Sequence, residues 1–282
     1  MLRLLKLPQT VVLIIDNPTV AGNFRPTTWI VFGALIFQLL ACIFPYRFVV
    51  SITIGALLLR LIPALLVSYG LLTNLELQEV NPYKASVMFP RPGGSSGLNP
   101  SGEGIALLIL GIRISHPLGI LAPGAKATGD LFRSLVEDLD AHPSEHGWLG
   151  GSLINGRTRT GLKNDHLSII GYFKTMEDLH KFAHGPMHRN AWNWWSANVK
   201  SMPHIGIYHE AYDVPANHWE AIYLQTPSIG LGRCKIKSAD GQWRNLLIDA
   251  KHEIWRSSAG RMGRGEGKTF GDDPYLRLNV SN

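Results

Sequence analysis

Residues 105–114 read IALLILGIRI, a short apolar run that predicts a buried strand. Residues 125–139 (AKATGDLFRSLVEDL) then place Leu131, Leu135, Val136 and Leu139 at helical spacing, the pattern of an amphipathic helix. Working outward, Ser152–Thr158 and Leu167–Phe173 read as strands, with turn chemistry at Lys163, Asn164 and Asp165. Thr175, with Asp178 three residues on, is a helix N-cap and predicts a helix from Met176 to about Ala197. Gly185-Pro186 is a break or kink point near its middle. His204–Tyr212 and Trp219–Leu224 read as two further strands joined by a turn at Pro215–Asn217. The order is β-α-β-β-α-β plus one strand, the ferredoxin-like split βαβ arrangement, with two helices on one face of an antiparallel sheet. The expected fold class is α+β.

The chain upstream has a different character. Thr28–Phe44 (TWIVFGALIFQLLACIF) carries no charge, and Phe48–Leu72 carries only Arg60, with Pro63 beyond it. A bilayer core takes about 20 apolar residues in a helix, and backbone satisfaction in lipid favours a helical hairpin. The runs start too late and continue too long for a cleaved signal peptide. A re-entrant hairpin, one span beside an interfacial helix, and a buried soluble hairpin stay open as alternatives. Arg3, Lys6, Arg25, Lys84 and Arg91 flank the pair, against Arg47 alone in the connection. The positive-inside rule then places both ends, and the folded domain, on the cytosolic side of an internal membrane, expected to be the endoplasmic reticulum. The expected organisation is an N-terminal segment (1–27), a membrane hairpin (28–73), a Pro/Gly/Ser linker (74–101), the α+β domain (102–235) and a mostly irregular tail (236–282) with a short strand or helix near Trp243–Ile248.

The net charge of +6 comes from scattered Lys and Arg rather than a basic stripe interleaved with aromatics, so nucleic acid is not an expected partner. Cys42 and Cys234 have no CxxC or metal-like spacing, which argues against a disulfide scaffold or a zinc site built on cysteine.

The chemistry concentrates in LHKFAHGPMHRNAWNWW (residues 179–195) and the strand after it. His180, His184 and His188 recur every four residues and share a face if the helix is continuous, with Trp192 and Trp195 extending the stripe. Three uses compete with ordinary core packing. One is a metal held by these imidazoles with Glu210, although no HExxH is present. The second is haem on one axial histidine. The third is a general base acting on an acidic organic substrate in an apolar pocket walled by Trp and Tyr rings. On the strand, Tyr208 and Glu210 share one face and Ile207 and His209 the other. Glu210 and Glu220 need partners if buried, for which Arg113, Arg157 and Arg159 are candidates.

The blocks FAHGPMHRNAWNWW and HEAYDVP…WEAIY resemble a family of fungal proteins named for a monooxygenase of the fumagillin pathway, related to the antibiotic-biosynthesis monooxygenases. The resemblance runs from about Asn99 into the tail, including Gly260-Arg261-Met262-Gly263, and leaves the apolar hairpin outside. It implies a dimeric α+β barrel, in which a ferredoxin-like sheet pairs with that of a second copy, and a place in fungal secondary metabolism. It also implies oxygenation without flavin or metal, the deprotonated substrate itself giving an electron to dioxygen. Relatives of the same fold bind haem through a second-helix histidine, for which His184 or His188 is the counterpart. The expected roles are His184, His188, His209 and Glu210 in catalysis, and Trp192, Trp195, Tyr208 and Tyr223 around a hydrophobic substrate. Haem-dependent dehydration and a non-catalytic membrane scaffold for pathway enzymes are the alternatives.

Overall fold

A computed structural model describes residues 18–89, 100–156, 165–237, 241–251 and 253–264. The chain divides into two compact units, residues 1–79 and 80–282.

The first unit is built on α1 (Pro26–Ile43) and α2 (Tyr46–Ser68), separated by Phe44 and Pro45. At 1.5 Å per residue they extend about 27 and 34 Å, close to the roughly 30 Å hydrocarbon core of a bilayer. Both are long and apolar enough to cross a membrane by length and composition. No residue of α1 is buried, and its Ile30, Val31 and Leu39 are widely exposed. An all-round apolar helix without protein cover is what a lipid-facing segment presents. In α2 the hydroxyls of Ser51, Thr53 and Ser68 donate to the carbonyls four residues back at 2.8, 2.9 and 2.8 Å, so these polar side chains are satisfied within the helix.

The second unit begins with β1 (Ala85–Val87), followed by β2 (Ile105–Ile114), α3 (Ala125–Ala141), β3 (Trp148–Gly156) and β4 (His166–Phe173). The helices α4 (Met176–Ala183) and α5 (Pro186–Asn198) lead into β5 (Ile205–Val214). The main sheet has the order β3-β4-β2-β5 and is antiparallel throughout, which is the ferredoxin-like topology. Alternation along β2 turns Ala106, Leu108, Leu110 and Ile112 toward the helices, where they meet Phe132, Leu135 and Leu139 of α3 and Leu179 and Phe182 of α4. The opposite face receives Leu107, Ile109 and Gly111.

Trp148 anchors this core. Its ring lies 5.0 Å from that of Phe173, and its Nε1 donates to Asp140 Oδ1 at 2.7 Å. The ring occupies the space above Gly171, where an added Cβ would come within 2.6 Å of it. Gly171→Ala is therefore expected to destabilise the unit by about 1–3 kcal/mol through overpacking, read as a lower chemical-denaturation midpoint. Unchanged stability would mean that Trp148 is free to shift.

Several sequence expectations change. The predicted helix to about Ala197 breaks at Gly185-Pro186, one of the two outcomes expected there: Thr175 caps the first helix, its Oγ1 accepting from the Asp178 N–H at 3.1 Å, and Pro186 opens the second. The segment read as linker contains β1, whose Ala85, Ser86 and Val87 are almost fully buried and pair with β8 (below). Trp219–Leu224 is not a strand; it meets β1 through the bridge between Ala85 and Tyr223 and through the Ser86 hydroxyl, which donates to the Ala221 carbonyl at 2.7 Å. The short element expected near Trp243–Ile248 is two strands, β7 (Trp243–Asn245), which pairs with β6 (Lys235–Lys237), and β8 (Leu247–Asp249); the stretch beyond, read as irregular, contains the one-turn α6 (Ser258–Arg261). Of the turn residues, Lys163 and Asn164 lie outside the described residues, as do Arg157 and Arg159. Glu220 pairs instead with Arg261 at 2.9 Å, and Arg113 with Asp165 at 3.6 Å.

Candidate active site

Helix α5 presents its apolar stripe to the gap between α3 and the sheet. His188, Trp192 and Trp195 recur at i, i+4 and i+7, so they fall on one face. The floor is Leu110, Ile112 and Ile207 from β2 and β5; Leu131, Phe132 and Leu135 of α3 form the far wall. The cavity is small, about 80 Å³, and partly open. No carboxylate lines it, and the one hydroxyl, on Thr128, is committed to the Gly124 carbonyl at 3.0 Å. Of the lining residues, His188 alone titrates near neutral pH.

Burial is the main influence on that imidazole and pushes its pKa below the ordinary histidine value. The nearby Ala183 carbonyl opposes the shift, and the neighbouring His209 and His184 add to it. A neutral imidazole keeps one ring nitrogen as an acceptor, the state a general base requires.

The predicted residues divide among three places. His188, Trp192 and Trp195 line the cavity. His184, the last residue before the break, and His209, on the helix-facing side of β5, are exposed and near enough to His188 to influence its charge. Tyr208 and Glu210 face away from the cavity, on the other side of the sheet. There the Tyr208 hydroxyl pairs with His166 Nε2 and its ring covers Gly111, while exposed Glu210 accepts from the Tyr212 hydroxyl. Tyr223 belongs to a separate core with Ala85, Trp219 and Cys234. Its hydroxyl accepts from the Gly232 N–H at 2.7 Å, and burial pushes its pKa up to about 12. The sequence reading missed Trp194, which also lines the cavity, and the α3 wall, whose leucine spacing was visible but had no stated partner.

A larger open groove of about 810 Å³ runs along β3, with Trp148, Arg233, Lys235 and Trp243 among its lining. It holds no imidazole or cysteine, so the smaller cavity is the better seat for proton chemistry.

The domain is a ferredoxin-like α+β fold with an apolar cavity beside His188. Residues 105–231 match the family described as monooxygenase af470-like. Monooxygenase af470 of Aspergillus fumigatus is 28% identical over 251 residues, covering 87% of this chain and 90% of its own. Residues 69–282 alone fall short of that share, so the similarity extends into the apolar helices that the sequence resemblance had left outside. Among solved structures, a putative antibiotic biosynthesis monooxygenase from Caulobacter crescentus is 16% identical, spans 40% of this chain and 92% of its own, and has a TM-score of 0.29. SnoaB, a cofactor-independent oxygenase from Streptomyces nogalater, is 11% identical over 38% of this chain and 90% of its own, with a TM-score of 0.27. An aldoxime dehydratase (OxdRE) is 13% identical over 55% of this chain and 43% of its own, with a TM-score of 0.38. The family and the Aspergillus relative support an enzyme of monooxygenase type.

Proposed function

We propose that the domain oxygenates an acidic, hydrophobic small molecule without a bound cofactor, with His188 as the base. The observation that carries this reading is a neutral imidazole set in an otherwise apolar cavity. His188 takes a proton from an activated C–H of the substrate, and the resulting carbanion gives one electron to dioxygen. The radical pair joins as a C–O–O bond, and the base returns its proton to the terminal peroxide oxygen; removal of the second proton from the same carbon then breaks the O–O bond, leaving a carbonyl and a hydroxide that takes that proton as water. One oxygen atom enters the product and the other leaves as water. The cavity of about 80 Å³ admits only the reacting edge of such a molecule. The rest lies against the 54%-exposed ring of Trp192. His184 and His209 are placed at this site as positioning groups that tune His188.

Haem fits this site poorly. His188 offers an axial nitrogen, but ligand pockets run to about 300–1,000 Å³ and the cavity here is far smaller.

The reading extends to the whole chain. α1 and α2 tether it to a membrane, from which a greasy substrate is delivered, with the domain on the cytosolic face of the endoplasmic reticulum. The face of the sheet away from the helices, carrying Leu107, Ile109 and Ile170, pairs with a second copy to close a barrel. The similarity to a monooxygenase of Aspergillus fumigatus supports a role in fungal secondary metabolism.

A pH profile tests the base. The acidic limb of kcat/KM is expected below pH 6.5, because burial lowers the pKa and the base stays unprotonated into mild acid. Linkage gives the same sign for stability. Below the unfolded value of about 6.5 the unfolded chain binds the proton more tightly, so stability falls as pH drops from there toward the folded pKa. A limb above 6.5 would exclude His188 as the titrating base.

A further inference from the structure

Away from the pocket, three metal-ligating side chains converge where α3 ends. Asp138 lies in the last turn of the helix, His142 caps it, and His146 closes the turn that follows. Asp138 Oδ1 is 3.2 Å from His142 Nδ1 and Asp138 Oδ2 is 3.3 Å from His146 Nε2. All three donors lie within 4.8 Å of one another. Tetrahedral zinc, with bonds of roughly 2.0–2.2 Å, sets neighbouring donors about 3.4 Å apart. We infer that Asp138, His142 and His146 bind a divalent transition cation of zinc type, with solvent completing the coordination on the exposed side of His142.

Two independent observations support a cation here. The last turn of α3 carries Glu137, Asp138 and Asp140 and no Lys or Arg, so three carboxylates crowd the negative end of the helix dipole. The frame is also rigid before any ligand arrives. The His146 N–H donates to the His142 carbonyl at 3.2 Å, the Trp148 N–H to the Pro143 carbonyl at 2.9 Å, and Phe182 stands edge-on to the His146 ring at 5.3 Å. Two imidazoles and one carboxylate suit zinc or a neighbouring transition metal better than calcium or magnesium. His146 Nδ1 is buried with no hydrogen-bond partner among the described residues. A ligating imidazole ordinarily donates that second N–H, and its lack costs about 10–100-fold in affinity. Micromolar rather than nanomolar binding follows.

The competing arrangement is a carboxylate merely hydrogen-bonded by two imidazoles, and titration separates the two. Full-length protein in detergent, stripped with chelator, is titrated with zinc chloride by calorimetry and with cobalt(II) as an optical probe. The expected result is one site per chain, visible d–d bands of low-symmetry coordination, and a thermal midpoint that rises with zinc. Asp138→Asn and His146→Ala, checked for folding by circular dichroism, are each expected to weaken binding at least about 10-fold. A His184→Ala/His209→Ala variant is expected to bind as the parent does. No stoichiometric binding, or loss of it only in that last variant, overturns the assignment. None of these outcomes depends on the oxygenase reading.

Discussion

Replacing His188 with alanine is expected to lower turnover about 10²–10⁴-fold, the usual contribution of a positioned general base. The fold should survive, because the side chain is only half-buried and the cavity it lines is already partly open. Circular dichroism and the unfolding midpoint should therefore stay close to those of the parent. The loss should fall on kcat more than on KM, since a base acts in the transition state while the tryptophans supply the apolar contact. Trp192→Ala is the counterpart, raising KM with a smaller effect on kcat. Equal turnover in parent and His188→Ala would remove the imidazole from the chemistry.

The second large effect is structural. The Arg261 side chain is fully buried, pairs with Glu220 at 2.9 Å, and donates to the carbonyls of Trp255 and Arg256 at 3.0 Å each. Its backbone carbonyl accepts from the Ser101 hydroxyl at 3.0 Å, so the residue ties the C-terminal helix turn to the start of the folded unit. Arg261→Ala leaves the Trp255 carbonyl and Glu220 Oε2 without their donor, while the Arg256 carbonyl keeps Lys84 and Glu220 Oε1 keeps Ser258. Breaking a buried pair from one side costs about 3–5 kcal/mol, discounted here toward the lower figure because Glu220 retains 32% exposure. A drop in Tm of roughly 6–12 °C follows for a domain of this size. Arg261→Lys keeps the charge but loses the planar fork, and should recover only part of the loss. An Arg261→Ala protein as stable as its parent would show that the tail does not brace the sheet.

The helical stripe was legible because it depends on spacing alone: His188, Trp192 and Trp195 lie within one uninterrupted helix, and α5 keeps them together. His184 shows the limit of that reasoning, since Pro186 restarts the helix and rotates the earlier histidines off the stripe. Along β5, alternation separated His209 from Glu210, but it could not say which side met the helices. That is settled by long-range pairing, Leu110 opposite His209 and Ile109 opposite Glu210. Strand β1 was hidden for a similar reason, being three residues set among prolines and paired with a segment about 160 positions downstream. Tyr223 reads as a pocket aromatic from its neighbours, yet it is buried against Gly232, a contact that local pattern does not encode. The four-residue histidine spacing was noticed at 180–188 and passed over at 138–146, where a turn rather than a helix brings the second imidazole back to the carboxylate.

The measurement that bears most directly on the oxygenase reading is isotope incorporation. Full-length protein of measured metal and haem content is incubated under ¹⁸O₂ with an acidic, apolar phenol bearing an activated methylene, and the product mass is read. The expected result is one labelled oxygen per product and one dioxygen consumed, at a rate independent of haem or metal content and lost in His188→Ala. Label that appears only after haem or metal is added, or at the same rate without His188, would contradict it.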